Sequence, residues 1–326
     1  MNILLQHNAI LPVNQYGGTE RVVWWLGKYL SLLGHKVTFL VKEGSQSSFA
    51  NIIPFNENQP LDEQIPDDID VVHLNQKPQE YIRKPFVVTQ HGNSSQLDSL
   101  HQNTVFVSRN HAERHGGEAF VYNGIDFDEY GKPDFNLPRK HLHFLAKAAW
   151  RVKNVKGAIE IAKRSHHKLV VMGGSRLNFK MGFRFTPDLN VRFHGMIGGQ
   201  EKLQILNQSK ALLFPVLWHE PFGLAIVESL YMGSAVFGTT YGSLPELIHP
   251  EVGFLSNHKH ELVEQLKNVD HFSPKLCHEY AQDVFSAKAM TEKYITYYET
   301  VLAGKPLNSQ IPKALEKYPK FLPFSE

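Results

Sequence analysis

Short apolar runs recur along the chain, separated by stretches whose apolar positions lie three or four residues apart. The first run is NILLQH at 2–7. GGTERVVWWLGKYLSLLG at 17–34 follows, with Val22, Trp25, Leu26, Tyr29 and Leu33 at helical spacing and Gly34 as a stop. KVTFLV at 36–41 then reads as a strand, as do DVVHLN (70–75), PFVVTQ (85–90), TVFVS (104–108) and AFVYN (119–123). Apolar strands alternating with helices predict a parallel sheet covered on both faces. From 124 to 142 the chain turns polar and is broken by prolines and glycines, which marks a connector. The alternation restarts with LHFLAK (142–147), KLVVMG (168–173), VRFHG (191–195), ALLFP (211–215), AVFG (235–238) and GFLS (253–256), with helices over 155–165 and 200–209. The pattern predicts two doubly wound α/β domains, over 1–123 and 143–286. A final helix at about 287–303 carries Met290, Tyr294, Tyr297, Tyr298 and Val301. Its pattern does not fix its destination; a return of about 287–326 to the first domain is the option carried forward.

One helix breaks the pattern. HEPFGLAIVESLYMG (219–233) is apolar nearly all round, which belongs inside a protein. Yet Glu228 sits on its apolar stripe, and Glu220 stands just before its start. The segment follows the predicted strand ALLFP, and in doubly wound sheets ligands bind beyond the C-terminal ends of strands. Pro221 suits a first helical turn, and Gly223 permits close backbone approach to a ligand. The free N–H groups of that turn form an anion site. A buried, unpartnered carboxylate at 228 would cost several kcal/mol. Two vicinal hydroxyls of a ribose would satisfy it, and so would a Lys or His from a neighbouring element. Chemistry alone leaves these two readings level.

Composition narrows the field. The chain has 326 residues, enough for about two domains, and is 42% hydrophobic and 20% charged. A formal net charge of +2 gives no strong field for nucleic acid or for an anionic membrane. The single cysteine, Cys277, can form neither an internal disulfide nor a Cys-rich zinc site. No apolar run is long enough to span a membrane, and the N-terminus does not read as a signal peptide, so a cytoplasmic location is expected. Neither G-x-G-x-x-G, nor G-x-x-x-x-G-K-[ST], nor G-x-S-x-G occurs, against a dinucleotide fingerprint, a P-loop and a hydrolase elbow. In HAERH, His111 and His115 lie one helical turn apart, but Ala112 stands where a zincin has Glu; a surface or partly packed helix is expected. Asp68 and Asp70, and Asp126 and Asp128, read as solvated loop or cap residues rather than metal ligands.

The order of segments resembles the retaining glycosyltransferases of family four, which have the GT-B fold. The most specific part is Glu220, seven residues, then Glu228, within EPFGLAIVES and followed by GSAVFGTTYGSLPELI. The N-terminal GGTERVVWWLGKYLSLLGHKVTFL and YNGID before the connector are also similar to the family. The resemblance covers nearly the whole chain. It implies two Rossmann-like domains facing across a cleft, acceptor mainly on the first and donor mainly on the second.

It also implies roles. Glu228 would hold the ribose hydroxyls of a nucleotide sugar, and Glu220 would lie near the donor sugar and phosphate. Backbone groups of Phe222, Gly223 and Leu224 would touch sugar and diphosphate, and those near Met196 and Ile197 the base. Gly17 and Gly18 would approach the diphosphate, and His91, in TQHG, would face the cleft. The family's Gly-Arg and Lys-Gly pair is altered here to AKAAWRVKNVKG. Spacing places Lys147 at the Arg position and Lys153 at the Lys position, with Asn154 replacing Gly; Arg151 and Lys156 compete. Lys for Arg keeps the charge and loses the bidentate fork.

The expected activity is sugar transfer with retention, metal-independent and without cofactor. A UDP-sugar is favoured over GDP-mannose as donor, with a saccharide or glycolipid hydroxyl as acceptor. No carboxylate is placed as a nucleophile, so the resemblance favours front-face attack, with the leaving diphosphate taking the acceptor proton. Peripheral membrane contact and oligomeric state stay open. The competing readings are a nucleotide-sugar hydrolase or epimerase, and a non-catalytic nucleotide-sugar-binding protein.

Overall fold

A computed structural model describes residues 1–13, 17–94, 99–317 and 319–326. The chain divides into two compact units, residues 1–126 with 285–317 and residues 127–284 with 318–326. The change of unit at 126/127 falls inside the polar stretch 124–142.

The first unit begins with β1 (Asn2–His7), α1 (Gly18–Leu32), β2 (Lys36–Val41) and β3 (Asn51–Pro54). It continues with β4 (Val71–Leu74), β5 (Phe86–Gln90), β6 (Thr104–Phe106) and the short α2 (Arg109–Glu113). The six strands form one parallel sheet in the order β3-β2-β1-β4-β5-β6. Ile3, Leu4 and Leu5 of the central β1 are fully buried, as a strand covered on both faces requires. α1 buries Val22, Val23, Trp25, Leu26 and Leu30.

The segment AFVYN, read as a strand, contributes only a single bridge, Phe106 to Phe120, beyond the edge strand. His111 and His115 are not at the surface: both are buried, packed edge-on to one another and against Phe106. Asp126 is likewise no solvated loop residue. It is fully buried and accepts hydrogen bonds from Lys28 Nζ and, at 3.1 Å, from Tyr29 Oη. Asp70 and Asp128 are exposed, as expected of loop residues.

The second unit holds β7 (His141–Leu145), α3 (Val155–Arg164), β8 (Leu169–Met172), the two-stranded hairpin β9 (Leu177–Asn178) and β10 (Arg184–Phe185), and β11 (Val191–Phe193). It goes on through α4 (Gly199–Asn207), β12 (Ser209–Phe214), α5 (Leu224–Tyr231), β13 (Ala235–Gly238), α6 (Leu244–Leu247), β14 (Gly253–Leu255), α7 (Lys259–Leu266) and α8 (Pro274–Val284). Its parallel sheet has the order β11-β8-β7-β12-β13-β14. The strand order reverses direction between β7 and β12, so the loops after these two strands flank the switch point.

The helix expected over 219–233 is shorter, Leu224–Tyr231. Gly223, with φ 92°, is its N-cap, so the left-handed turn at Gly223 leaves Pro221 in the preceding loop rather than in the first helical turn.

The last helix, α9 (Ala287–Leu302), belongs to the first unit. A buried polar chain ties it to the sheet: Tyr298 Oη lies 2.6 Å from His73 Nδ1, His73 Nε2 lies 2.8 Å from Thr89 Oγ1, and Thr89 Oγ1 lies 2.8 Å from Tyr294 Oη. Every polar tip of the two tyrosines is thereby satisfied in a dry interior. The tail divides, residues 305–317 staying with the first unit and 319–326 with the second.

Candidate functional site

The loops after β7 and β12 meet at the switch point of the second sheet. Lys153, after β7, donates to Glu220 Oε2, after β12, at 2.5 Å. Trp218 Nε1 donates to the same oxygen at 2.7 Å. The lysine ammonium also sits over the rings of Trp218 (4.9 Å) and Phe214 (5.3 Å). Only 12% of the Lys153 side chain and 7% of the Glu220 side chain are exposed. A carboxylate so placed needs both donors, because an unpaired buried charge is expensive.

The loop that carries Glu220 is built from the other side by the turn after β13. Ser243 N donates to Glu220 O (2.9 Å) and Ser243 Oγ to Phe222 O (2.7 Å). Gly242, at φ 67°, lies so close that a Cβ there would sit 2.3 Å from Glu220 N and O. On the β7 side, Asn154 takes the left-handed conformation (φ 57°, ψ 48°), which Asn tolerates better than other non-glycine residues. Its side chain accepts from Gly157 N at 3.0 Å, capping α3, and donates to Pro215 O at 2.9 Å. The replacement of Gly by Asn thus preserves the backbone turn and adds a cap.

Glu228 lies one turn into α5. Its Oε1 accepts from Lys202 Nζ of α4 at 2.7 Å and from Tyr130 Oη. The Lys202 ammonium also lies 5.2 Å from the Tyr130 ring centre. Side-chain exposure is 10% for Lys202 and 12% for Glu228. The lysine partner weighed from chemistry is therefore present.

The two carboxylates share one arrangement. In each, one oxygen receives two protein donors, while the other, Glu220 Oε1 or Glu228 Oε2, receives none among the described residues. A carboxylate offers about four acceptor positions, so each keeps one oxygen whose acceptor positions are unfilled among the described residues.

Phe222, Gly223 and Leu224 run from the loop into the first turn of α5, with Phe222 buried and the other two half-buried. Met196, exposed, and Ile197, half-buried, follow β11. Lys147 is exposed after β7, its ammonium 5.4 Å from the ring of Trp150. Arg151 lies over Phe321 at 4.9 Å, and Arg151 and Lys156 line a separate cavity that does not include Glu220 or Glu228. Lys153 and Glu220 are thus brought together; Lys147 has no described contact with either carboxylate.

In the first unit, Gly17 is the N-cap of α1 and Gly18 its first residue. His91 follows β5. Its Nε2 donates to Asn75 Oδ1 at 2.7 Å, and Asn75 is oriented by Nδ2 donating to Gln6 O at 2.8 Å. Desolvation, with the nearby His7 adding to it, pushes His91 down to about 3. It is neutral at physiological pH, and the Nε2–H bond leaves the Nδ1 lone pair as acceptor.

Lys202, Tyr130, Trp218, Gly242 and Ser243 escaped the reading of the sequence. Only Lys202 carries a signal there: it shares the buried stripe of α4 with Leu203, Leu206 and Asn207, an unusual place for lysine. Among the described residues, no three His, Cys, Asp or Glu side chains converge on a common point.

With this geometry in view, comparison with known proteins is informative. Residues 134–269 match the family described as Glycosyl transferases group 1. The matched region lies within the second unit. It contains Lys147, Lys153, Lys202, Glu220 and Glu228. The whole chain has the GT-B fold. The crystal structure of AviGT4, a glycosyltransferase involved in avilamycin A biosynthesis, superposes with a TM-score of 0.76 at 21% identity, over 93% of this chain and 98% of that one. Anabaena HepE, solved with UDP-glucose, gives 0.66 at 16% identity over 93% of this chain and 100% of its own. A curated relative, an uncharacterized 42.6 kDa protein in the cps region of Klebsiella pneumoniae, is 28% identical over 91 residues. That alignment spans 27% of this chain and 22% of the relative.

Proposed function

We propose that this protein transfers a sugar from a nucleoside diphosphate sugar, with UDP favoured, to a hydroxyl of a saccharide or glycolipid acceptor, with retention at the anomeric carbon. One observation carries the reading: Glu220 and Glu228 each have one oxygen fixed by two protein donors and one oxygen left for a ligand. Glu228 Oε2 would accept from the ribose hydroxyls. Glu220 Oε1 would accept from a donor-sugar hydroxyl. Lys153 and Lys147, with the N–H groups of Phe222, Gly223 and Leu224, would balance the diphosphate, most strongly as the leaving group gains charge. Backbone groups near Met196 and Ile197 would meet the base. Lysine neutralisation of the diphosphate is the reason to expect transfer without a metal ion.

Gly17, Gly18 and His91 of the first unit are proposed to serve the diphosphate and the acceptor; neutral His91 would accept from an acceptor hydroxyl through Nδ1. The UDP-glucose bound to Anabaena HepE supports uridine as the base. Front-face attack fits a site whose two carboxylates, Glu220 and Glu228, are both assigned to binding and not to nucleophilic attack: the acceptor oxygen bonds to the anomeric carbon, the carbon–phosphate oxygen bond breaks, and the diphosphate takes the proton.

The test is a thermal-shift and calorimetric panel of UDP, GDP, ADP and their sugars. Saturation at 100 Kd stabilises by about 2.7 kcal/mol. One nucleotide class should stand out, and Glu228→Ala should abolish its effect. Glu220→Ala should depress transfer more than binding of the bare nucleotide. A panel in which no nucleotide binds refutes the reading. Free sugar released steadily without acceptor would point to hydrolysis, and binding without turnover to a non-catalytic protein.

A further inference from the structure

The hairpin β9–β10 spends its polar groups and its apolar groups in an unusual way. Asn178 Nδ2 donates to Lys180 O (2.7 Å) and Gly182 O (3.1 Å), which closes the turn from within. Arg176 holds the base through Thr186 O, Asp188 O (2.9 Å) and Val191 O (2.6 Å). Arg184 adds bonds to Thr186 Oγ1 and Ser175 O, both at 2.9 Å. The polar groups thus fix the shape of the hairpin. The large apolar side chains are left largely in solvent: Phe179 is 73% exposed, Met181 61%, Phe183 66% and Phe185 56%. Leu177 and Leu189 are exposed as well.

Two details argue that these side chains are there for their own sake. Met181 stands at the tip with φ 55°, a conformation that costs a non-glycine residue energy and that Asn or Gly would adopt more easily. Phe179 and Phe183 lie ring to ring at 5.8 Å, so the tip presents a continuous apolar patch. Monomeric proteins rarely expose such a cluster without a use for it.

The surrounding charge is one-sided. Lys180 is exposed at the tip and has no ion-pair partner among the described residues. Behind the hairpin lies a cavity of about 350 Å³ whose exposed cations are Arg151, Lys156 and Lys180; Arg184, also in its lining, is buried and held by Thr186 and Ser175, and no Asp or Glu lines the cavity. An apolar, aromatic tip backed by uncompensated cations complements one kind of surface: a bilayer with anionic headgroups. There the rings enter the headgroup–acyl boundary and the ammonium and guanidinium groups meet phosphate.

We infer that the 177–185 hairpin is a membrane-docking element that seats the second unit on anionic phospholipid. This does not depend on the donor-site reading, since the hairpin contains none of the residues assigned to the donor.

The test uses the full chain and sedimentation with vesicles of phosphatidylcholine alone or with about a third phosphatidylglycerol. Binding is expected to the anionic vesicles and to weaken as salt rises. Phe179→Ser/Phe183→Ser should weaken it by at least about tenfold, since two rings are withdrawn. Lys180→Glu should weaken it by about thirtyfold, since two units of charge change at about 1 kcal/mol each. Lys275→Glu, on the exposed face of α8, should change it little. A Phe183→Trp variant gives a readout that needs no loss of function: its added emission should shift to the blue with anionic vesicles. Absence of sedimentation, absence of the blue shift, or equal binding by all variants would overturn the inference. So would a change of oligomeric state caused by the serine substitutions without lipid, which would make the patch a protein interface.

Discussion

Replacing Lys153 with methionine asks the most of the second unit. The substitution keeps most of the stem but removes the ammonium that lies 2.5 Å from Glu220 and over the rings of Trp218 and Phe214. Glu220 would then keep a single described donor to Oε2, Trp218 Nε1. Removing one partner of a buried ion pair costs about 3–5 kcal/mol, because the remaining charge is stranded. Trp218 and the residual exposure of the pair place this case near the lower end, at about 3 kcal/mol.

The reciprocal change, Glu220→Gln, should cost less, about 1–2 kcal/mol, since an amide oxygen still accepts from Trp218 and the ammonium can extend towards solvent. The double variant should cost little more than Glu220→Gln alone. The cycle then yields a coupling of about 2 kcal/mol or more. Equilibrium urea denaturation measures each variant, with hydrogen exchange of the 209–231 segment assigning the transition to the second unit. Costs that add to within about 0.5 kcal/mol would show that the two groups do not depend on one another and would refute the reasoning.

Other outcomes follow from the same geometry. Gly242→Ala forces a Cβ into backbone atoms of Glu220 and should lower both the melting temperature and nucleotide affinity; unchanged affinity would mean the loop relaxes freely. Asn154→Gly keeps the left-handed turn and loses the cap and the bond to Pro215 O, costing about 1 kcal/mol, whereas Asn154→Val adds backbone strain and should cost at least about twice that in thermal denaturation. Tyr130→Phe removes one donor from Glu228 and should weaken nucleotide binding by about fivefold in calorimetry. The protein should also be acid-labile. Burial pushes His73 and His91 down to about 3, so the unfolded chain, titrating near 6.5, binds their protons first. Stability is then complete above about pH 6.5 and falls towards pH 3, with each histidine forfeiting about 2 kcal/mol at pH 5. Urea midpoints at pH 7 and 5 check this, and His73→Gln should flatten the difference.

Much of the fold is legible because a strand of a covered parallel sheet must be apolar throughout. NILLQH, KVTFLV and AVFG are therefore strands with the boundaries their apolar runs suggest. β3 escapes because Asn51–Pro54 is an edge strand of only four residues, two of them apolar. α8 escapes because it buries little beyond Cys277 and Ala281, too few and too small to print a helical stripe. In the candidate site, the two glutamates announce themselves as charges in apolar company. Their partners do not: Lys153 lies 67 positions from Glu220, and Tyr130 lies 98 from Glu228. Only the crossover of β7 and β12 brings such residues together.

From sequence chemistry, Glu228 faced a choice between a ribose and a lysine. The structure removes the opposition. A carboxylate has two oxygens, and Lys202 and Tyr130 occupy one of them. Holding that oxygen fixes the rotamer and supplies the positive charge that makes burial tolerable, so the second oxygen can be presented without the carboxylate collapsing onto a neighbour. The same division recurs at Glu220, where Lys153 and Trp218 share Oε2. In the proposed role, pairing would serve as preorganisation. The entropy of orienting each acceptor would be lost on folding rather than on binding, and a ligand hydroxyl would meet an oxygen already in place. A lysine beside a binding carboxylate, which in the sequence would count against a ligand role, is here the reason such a role is physically available.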